Sequence, residues 1–479
     1  MNTTVTSNRE SINEKIAALK YDPRTVMVFN GTRIANIDHP AEDRFDGSTY
    51  LVVTREKCSY DANFDIAVPS AYDDVTYPGA LLFASNDLLD GKPQELACKK
   101  APLNFTINLP GTSDGSFTTV PTYANVQAGI NAVLAKWFGS HGGEWSLPAN
   151  FQYRSSLVYD ENELALKFGC DVTYLKQKMG IDFSRKSVEK KSVYLVQFKQ
   201  IFYTVSVERP RAPADVFDEE TSWDDLSQAG VSATHPPLLV KNVQYGRQIF
   251  LKFESSLSST ELEATVKASV TANGVQTDTR GSTEYKAKLS QINVSLVALG
   301  GSEAIYSGLS LAGVEDAQKI NKIIFENTKL SPANPAAPLN YTTVYLKDGM
   351  SAGVHGKTEY VAEKTECYSG GQIKFEHTGG YVARFTVSWD EISYDNGSKV
   401  TRRVTWDGSG RDRTAPFATE IPLRGNARMI DIKAEGCTGL AWEWWRTSGD
   451  KRGMPLVPNR TVKIGGTTLS QTFSMQPDA

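Results

Sequence analysis

Residues 436–446 read Gly436-Cys437-Thr438-Gly439-Leu440-Ala441-Trp442-Glu443-Trp444-Trp445-Arg446 and place three of the chain's eight tryptophans within four consecutive positions. In a strand, side chains alternate between faces, so Trp442 and Trp444 share one face and Trp445 takes the other. A single buried face cannot hide all three, and at least one indole is expected to meet solvent. Indole rings with a polar N–H suit a membrane–water boundary, where Arg446 could meet phosphate. A tryptophan-rich core corner or a protein–protein hot spot answers equally well to the same residues.

With 479 residues and 40% apolar content, the chain is long enough for about three or four domains. The net charge of −4 offers no electrostatic reason to expect nucleic acid or acidic membranes as partners. Lipid recognition would have to work by shape and apolar contact. The opening Met1-Asn2-Thr3-Thr4-Val5-Thr6-Ser7 has neither a basic nor an apolar leader region, so it reads as leaderless or already processed, with no evident signal peptide. No stretch approaches the roughly 18 apolar residues of a membrane helix. Cys58, Cys98, Cys170, Cys367 and Cys437 are scattered and odd in number, which predicts mostly reduced thiols and no disulfide framework.

Ile12, Ile16 and Leu19 predict a short helix over residues 8–19, and Val126, Ile130, Val133, Leu134 and Trp137 predict another closed by Gly139. Tyr50–Thr54 and Phe105–Leu109 read as strands. Gly111-Thr112-Ser113-Asp114-Gly115 fits the nucleophile-elbow pattern, but the extended Ser116–Pro121 follows where a helix is required, so a loop is the better reading. Gly353–Thr358 ends like a phosphate-binding loop, yet Ser351 stands where its first glycine belongs. The five histidines show no metal-ligand spacing, and no cofactor is expected.

Two mid-chain stretches support two periods at once. In 260–287, Leu262, Ala264, Val266, Ala268, Val270 and Ala272 alternate without a break against polar residues, as in a strand with one apolar face. The same stretch opens on Ser258-Ser259-Thr260-Glu261, a helix capping box, aligns Leu262, Val266 and Val270 on one helical face, and stops at Asn273-Gly274. In 161–189, Leu164, Leu166, Phe168, Cys170, Val172 and Tyr174 alternate likewise, and Met179–Phe183 and Tyr285–Leu289 read as shorter return limbs. Each is long enough for a hairpin strand crossing a bilayer, about 9–11 residues. Ordinary amphipathic helices or half-buried strands remain the alternative. Two hairpins cannot close a barrel alone, so a pore would require an oligomer.

From residue 368 onward the pattern is all-β, with Ile373, Phe375 and His377, then Tyr381 to Trp389, alternating, and Asn396-Gly397 as a hairpin signal. It predicts a β-sandwich over 368–479 with residues 436–446 in a loop at one end.

The undecapeptide 436–446 resembles the signature of the cholesterol-dependent, or thiol-activated, cytolysins, departing from it only at Gly436, where that family carries glutamate. The resemblance extends through Thr76-Tyr77-Pro78-Gly79-Ala80-Leu81, Lys199–Val205, Tyr245-Gly246-Arg247, Leu299-Gly300-Gly301 and Trp389-Asp390-Glu391. It implies an α+β, elongated four-domain fold with a twisted antiparallel central sheet flanked by helical clusters and a C-terminal all-β sandwich. The implied domains are a scaffold (1–22, 56–150, 201–246, 327–350), a linker sheet (23–55, 351–367), an inserting domain (151–200, 247–326) and the sandwich (368–479). The implied function is a non-enzymatic, cholesterol-dependent pore: secreted or released soluble monomers bind a sterol-containing target membrane, form a ring and insert both hairpins.

By the same resemblance Thr468 and Leu469 recognise cholesterol, the undecapeptide, Ala415 and Gly380 form the membrane-binding loops, and Gly300, Gly301 and Tyr153 serve the oligomerisation hinge and subunit contact. Val294 stands where the partner of Tyr153 is usually aromatic, and Gly380 where alanine is usual. Modification of the Cys437 thiol would hinder membrane binding, without any catalytic part for that thiol. A protein or glycan co-receptor stays open. A non-lytic membrane- or receptor-binding homologue is the alternative, and a hydrolase would depend on Ser113 alone.

Overall fold

A computed structural model describes residues 2–31, 33–64, 66–67, 74–89, 91–109, 111, 114–141, 150–169, 180–181, 191–271, 274–275, 287–300, 321–322, 324–325, 330–331 and 334–477. Gly301, Ser113, Cys170, 171–179, 182–190 and 276–286 lie outside them, and with them parts of both return limbs. The chain divides into two compact units, Met1–Ile34 with Lys57–Leu257 and Glu261–Val361, and Ala35–Glu56 with Ser258–Thr260 and Ala362–Ala479.

The first unit is built on an antiparallel sheet whose strands β1 (Asn150–Leu157), β2 (Ser192–Val207), β3 (Pro237–Ser255), β4 (Ile292–Leu299) and β5 (Ala337–Tyr345) position the segments of interest. Tyr153 pairs with Phe198, Phe198 with Ile249, and Phe253 with Val294. Along one edge β3 changes partner: Leu238–Gly246 pairs with β5, and Gln248–Ser255 with β4. Gly246 and Gly300 meet at that change. A Cβ on Gly246 would fall 1.9 Å from the Gln200 carbonyl, and one on Gly300, at φ +76°, 2.4 Å from the Gly246 carbonyl. Only glycine fits either position.

Helices cover both faces of this sheet. Helix α3 (Glu161–Phe168) packs Leu164 and Phe168 on Leu195, Phe250 and Val297. Helix α4 (Ser259–Ser269) packs Leu262 and Val266 on the opposite face with Tyr194, Val196 and Ile249. The earlier helices α1 (Asn2–Ala18) and α2 (Tyr123–His141) bury the predicted Ile12, Ile16, Val126, Ile130 and Trp137. Gly139 lies inside the last turn of α2 and does not end it, because a single glycine lowers helix stability by only about 1 kcal/mol.

The opening parts of the two ambiguous stretches, Glu161–Phe168 and Ser259–Ser269, are helix. In α4 Leu262 and Val266 are buried while Ala264 and Ala268 are exposed, the opposite of what a strand would do. The helix ends at Ser269, four residues before the predicted Asn273-Gly274 stop, and Val270-Thr271 pairs with Gly274-Val275 instead. α3 carries a true capping box, with Asp160 accepting from the Glu163 N–H at 2.7 Å. Its Glu163 is buried, and burial pushes that carboxyl above its usual range despite an ion pair to Lys167 at 2.5 Å.

The nucleophile-elbow and phosphate-loop readings both fail on context. Strand Ser116–Thr119, not a helix, follows Gly115, and Val354–Tyr368 is a strand. Each motif needs a helix directly after its loop.

The second unit contains the sandwich. Strands β6 (Gly371–His377), β7 (Ala383–Asp395), β8 (Ser398–Thr405), β9 (Phe417–Leu423), β10 (Ala427–Leu440), β11 (Glu443–Met454), β12 (Asn459–Gly466) and β13 (Gln471–Gln476) form two sheets. Their orders are β9-β6-β12-β13 and β8-β7-β10-β11. Alternate residues Ile373 and Phe375, Ala383, Phe385 and Val387, and Ile430, Ile432 and Ala434 face inward as the period-two pattern predicts. Asn396 and Gly397, at φ +46° and +78°, make the tight turn between β7 and β8.

Phe375 is buried with its ring centroid 4.4 Å from that of Phe385. Phe375→Ala is expected to destabilise this unit by about 3–5 kcal/mol, from lost burial plus the cavity left behind. Denaturant unfolding followed by tryptophan fluorescence would measure it, and a loss under about 1 kcal/mol would contradict so close a packing.

Candidate membrane-binding site

The undecapeptide is a strand hairpin and not the loop the sequence predicted. Gly436 to Leu440 finish β10, Ala441 and Trp442 turn, and Glu443 to Arg446 begin β11. Gly436 pairs with Arg446, Cys437 with Trp445, and Leu440 with Glu443. Gly439, at φ +71°, is a local irregularity of the hairpin at the register shift between Cys437 and Leu440.

The tryptophans divide as strand alternation requires. Trp442 is 82% exposed and Trp444 58% exposed, while Trp445 is half-buried with the Arg384 guanidinium 3.9 Å from its ring centre. Arg384, on the neighbouring β7, was not legible in the motif, because cross-strand register brought it there. Thr438 is buried inside the hairpin, donating its hydroxyl to the Glu443 carbonyl and accepting the Leu440 N–H at 3.1 Å. Cys437 is a half-buried free thiol whose N–H donates to the Val382 carbonyl at 2.8 Å. Cys98 is a free thiol as well, and burial raises it to about 11.

Arg446 is the connector of the site. It clasps Glu443 through two hydrogen bonds, Nε to Oε1 at 3.0 Å and Nη2 to Oε2 at 2.5 Å, and Nη1 donates to the Leu469 carbonyl at 2.8 Å. The guanidinium holds the Glu443 carboxyl below its usual range. With the folded value depressed, the pair's contribution is present above the unfolded carboxylate range and is lost as pH falls through the folded value.

Thr468 and Leu469 occupy the centre of a tight turn between β12 and β13, closed by Thr467 N–H to the Ser470 carbonyl at 3.0 Å and Ser470 N–H to the Thr467 carbonyl at 3.1 Å. Leu469 is 61% exposed. Gly380 lies beside that turn's base, its N–H donating to the Gly466 carbonyl at 3.0 Å. Ala415, exposed, lies two residues after Arg413, which exchanges two backbone hydrogen bonds of 2.8 Å with Ala383, itself paired with Gly436. Four connections thus converge on one end of the sandwich.

Residues 11–368 match the thiol-activated cytolysin family model, and 372–472 match the thiol-activated cytolysin beta sandwich domain. This chain is a thiol-activated cytolysin. It is 39% identical to perfringolysin O of Clostridium perfringens over 97% of its own length and 92% of that protein's. Tetanolysin of Clostridium tetani is 38% identical over 98% of this chain and 88% of its own. A solved structure described as a Gram negative toxin superposes with a TM-score of 0.90 at 71% identity, covering 99% of this chain and all of that one. The cytolysin is therefore a pore-forming toxin of the family read from its undecapeptide, with the sheet-rich fold and C-terminal sandwich expected of it. Among its described residues no helix is long and apolar enough to cross a membrane, which says nothing of spanning strands.

The other predicted site residues lie in the first unit. Tyr153, half-buried on β1, donates its hydroxyl to the Val270 carbonyl at 3.1 Å and packs 5.3 Å from the Phe198 ring. Val294, on β4, is buried against the same side of the sheet.

Proposed function

We propose that this cytolysin docks on cholesterol-containing membranes through the sandwich end carrying Thr468, Leu469, Gly380, Ala415 and the 436–446 hairpin, then assembles into a ring and inserts a transmembrane β-barrel. The carrying observation is that Trp442, Trp444 and Leu469 are large apolar groups exposed at the same end of the sandwich as the Thr468 hydroxyl. A leucine for the sterol ring face and a hydroxyl for its 3-OH form a chemically complete pair, and the indoles suit the interface. The reading needs no covalent chemistry. Binding is driven by burial of apolar area, at about 25 cal/mol per Å².

Assembly is proposed to run edge to edge. Tyr153 and Val294 stand on β1 and β4, with β2 and β3 between them, so one molecule's β4 edge can face the next molecule's β1 edge. Such heterologous contacts close into rings when the rotation allows. Gly300 at the end of β4 and its neighbour Gly301 supply the bend that frees the edge for pairing. Residues 161–189 and 260–287 then become the hairpins, within the domain limits that the family resemblance implies. Release into the surroundings and action at a target cell membrane belong to the same reading.

Dye release from vesicles with and without cholesterol tests the proposal. Cholesterol-dependent release is expected; vesicle binding without release would favour a non-lytic binder. Trp442→Ala should leave stability within about 0.5 kcal/mol, because the ring is exposed, and weaken vesicle binding roughly tenfold through lost interfacial burial. Co-sedimentation and a thermal melt would separate the two effects.

A further inference from the structure

Gly436 has no side chain, and the Gln471 amide fills the space beside it: a Cβ built on Gly436 would lie 2.5 Å from both Cδ and Nε2 of Gln471. From there the amide bonds in two directions. Nε2 donates to the Thr468 carbonyl at 3.2 Å, and Oε1 accepts from Ser448 Oγ at 2.6 Å. Ser448 is on β11, the outgoing strand of the tryptophan hairpin, and Thr468 is in the exposed turn before β13.

We propose that Gln471 is the positioning residue that couples the tryptophan hairpin to the Thr468–Leu469 turn, and that Gly436 is required because any side chain there evicts the amide. The inference rests on Thr468 and Leu469 being the sterol contacts. The turn's own bonds, between Thr467 and Ser470, close it without aiming it. Its aim is set by tethers on two successive carbonyls, Gln471 on Thr468 and Arg446 on Leu469. Both tethers lead back to the hairpin. Seating the indoles in an interface and presenting Leu469 to a sterol are then one event. Eviction is cheap for the fold, because the displaced atoms are the far end of a flexible side chain, but it severs the Thr468 tether.

A double-mutant cycle tests this, using Gly436→Ala, Gln471→Ala and both together on vesicles of phosphatidylcholine with graded cholesterol. Each single change is expected to weaken vesicle binding about fivefold, the worth of one hydrogen bond. The double variant should bind no more weakly than either single, since both changes remove the same tether. At equal bound density, dye release should not change. Gln471→Met, which keeps the volume without the hydrogen bonds, should repeat the loss.

Additive effects in the double variant, parent-like binding by the singles, or parent-like binding by Gln471→Met would each overturn the proposal. A parent indifferent to cholesterol overturns the sterol reading alone, and the cycle is then scored on sterol-free vesicles. A parent that binds neither vesicle overturns both.

Discussion

Replacing Thr468 and Leu469 together by glycine is expected to abolish cholesterol-dependent dye release while leaving the sandwich folded. Leu469 is already exposed, so the fold loses little when it is removed. Binding loses a leucine burial of about 2 kcal/mol and a hydroxyl hydrogen bond of about 1 kcal/mol. The sum corresponds to roughly a hundredfold in affinity per molecule. A ring that needs many bound subunits amplifies that deficit. Arg446 still clasps Glu443, so the hairpin should keep its shape, and tryptophan fluorescence of the free protein should match the parent. Release that persists in the double variant at the parent's cholesterol threshold would move sterol recognition away from this turn.

Ala264→Lys with Ala268→Lys should separate binding from insertion. Both alanines are exposed on α4, so two lysines cost the soluble fold only their like-charge spacing, about 0.5 kcal/mol. In a spanning strand both would sit on the lipid face, at about 2–4 kcal/mol each near the bilayer midplane. Every subunit of the ring would carry that penalty. The expected result is normal melting, normal pelleting with cholesterol vesicles and no dye release. Glu263→Lys, on the face that would line the lumen, should release dye like the parent. If the double-lysine variant releases dye normally, residues 260–287 do not become a membrane strand.

These two experiments probe regions of very different legibility. The sandwich was readable because period-two burial is local: Ile373 and Phe375, or Ile430 and Ile432, declare their face by spacing alone, and the two sheets that bury them follow. The undecapeptide announced an exposed aromatic cluster for the same reason. Its hairpin form was less plain, since glycine permits a loop and a strand irregularity equally, and cross-strand bonds such as that of Thr438 to Glu443 arbitrate. Arg384, Ser448 and Gln471 carried no signal, because each acts on a residue distant in sequence that pairing brings beside it.

The helical segments show the limit most clearly. Residues 260–271 satisfy helix and strand at once because the positions that only a strand needs apolar, Ala264 and Ala268, are alanines, which cost little when a helix exposes them. Sequence by itself therefore determined that this segment's pattern suits both periods, that the C-terminal quarter is a sandwich, and that its tip carries an exposed aromatic group. Which structure the segment adopts was decided only by tertiary packing. Leu262 and Val266 find Tyr194, Val196 and Ile249 on a preformed sheet face, and that burial selects the helical period. Likewise, only strand pairing brought four separate connections to one end and set Arg446 on the Leu469 carbonyl, because hydrogen bonds across sheets join residues whose separation along the chain carries no periodic mark.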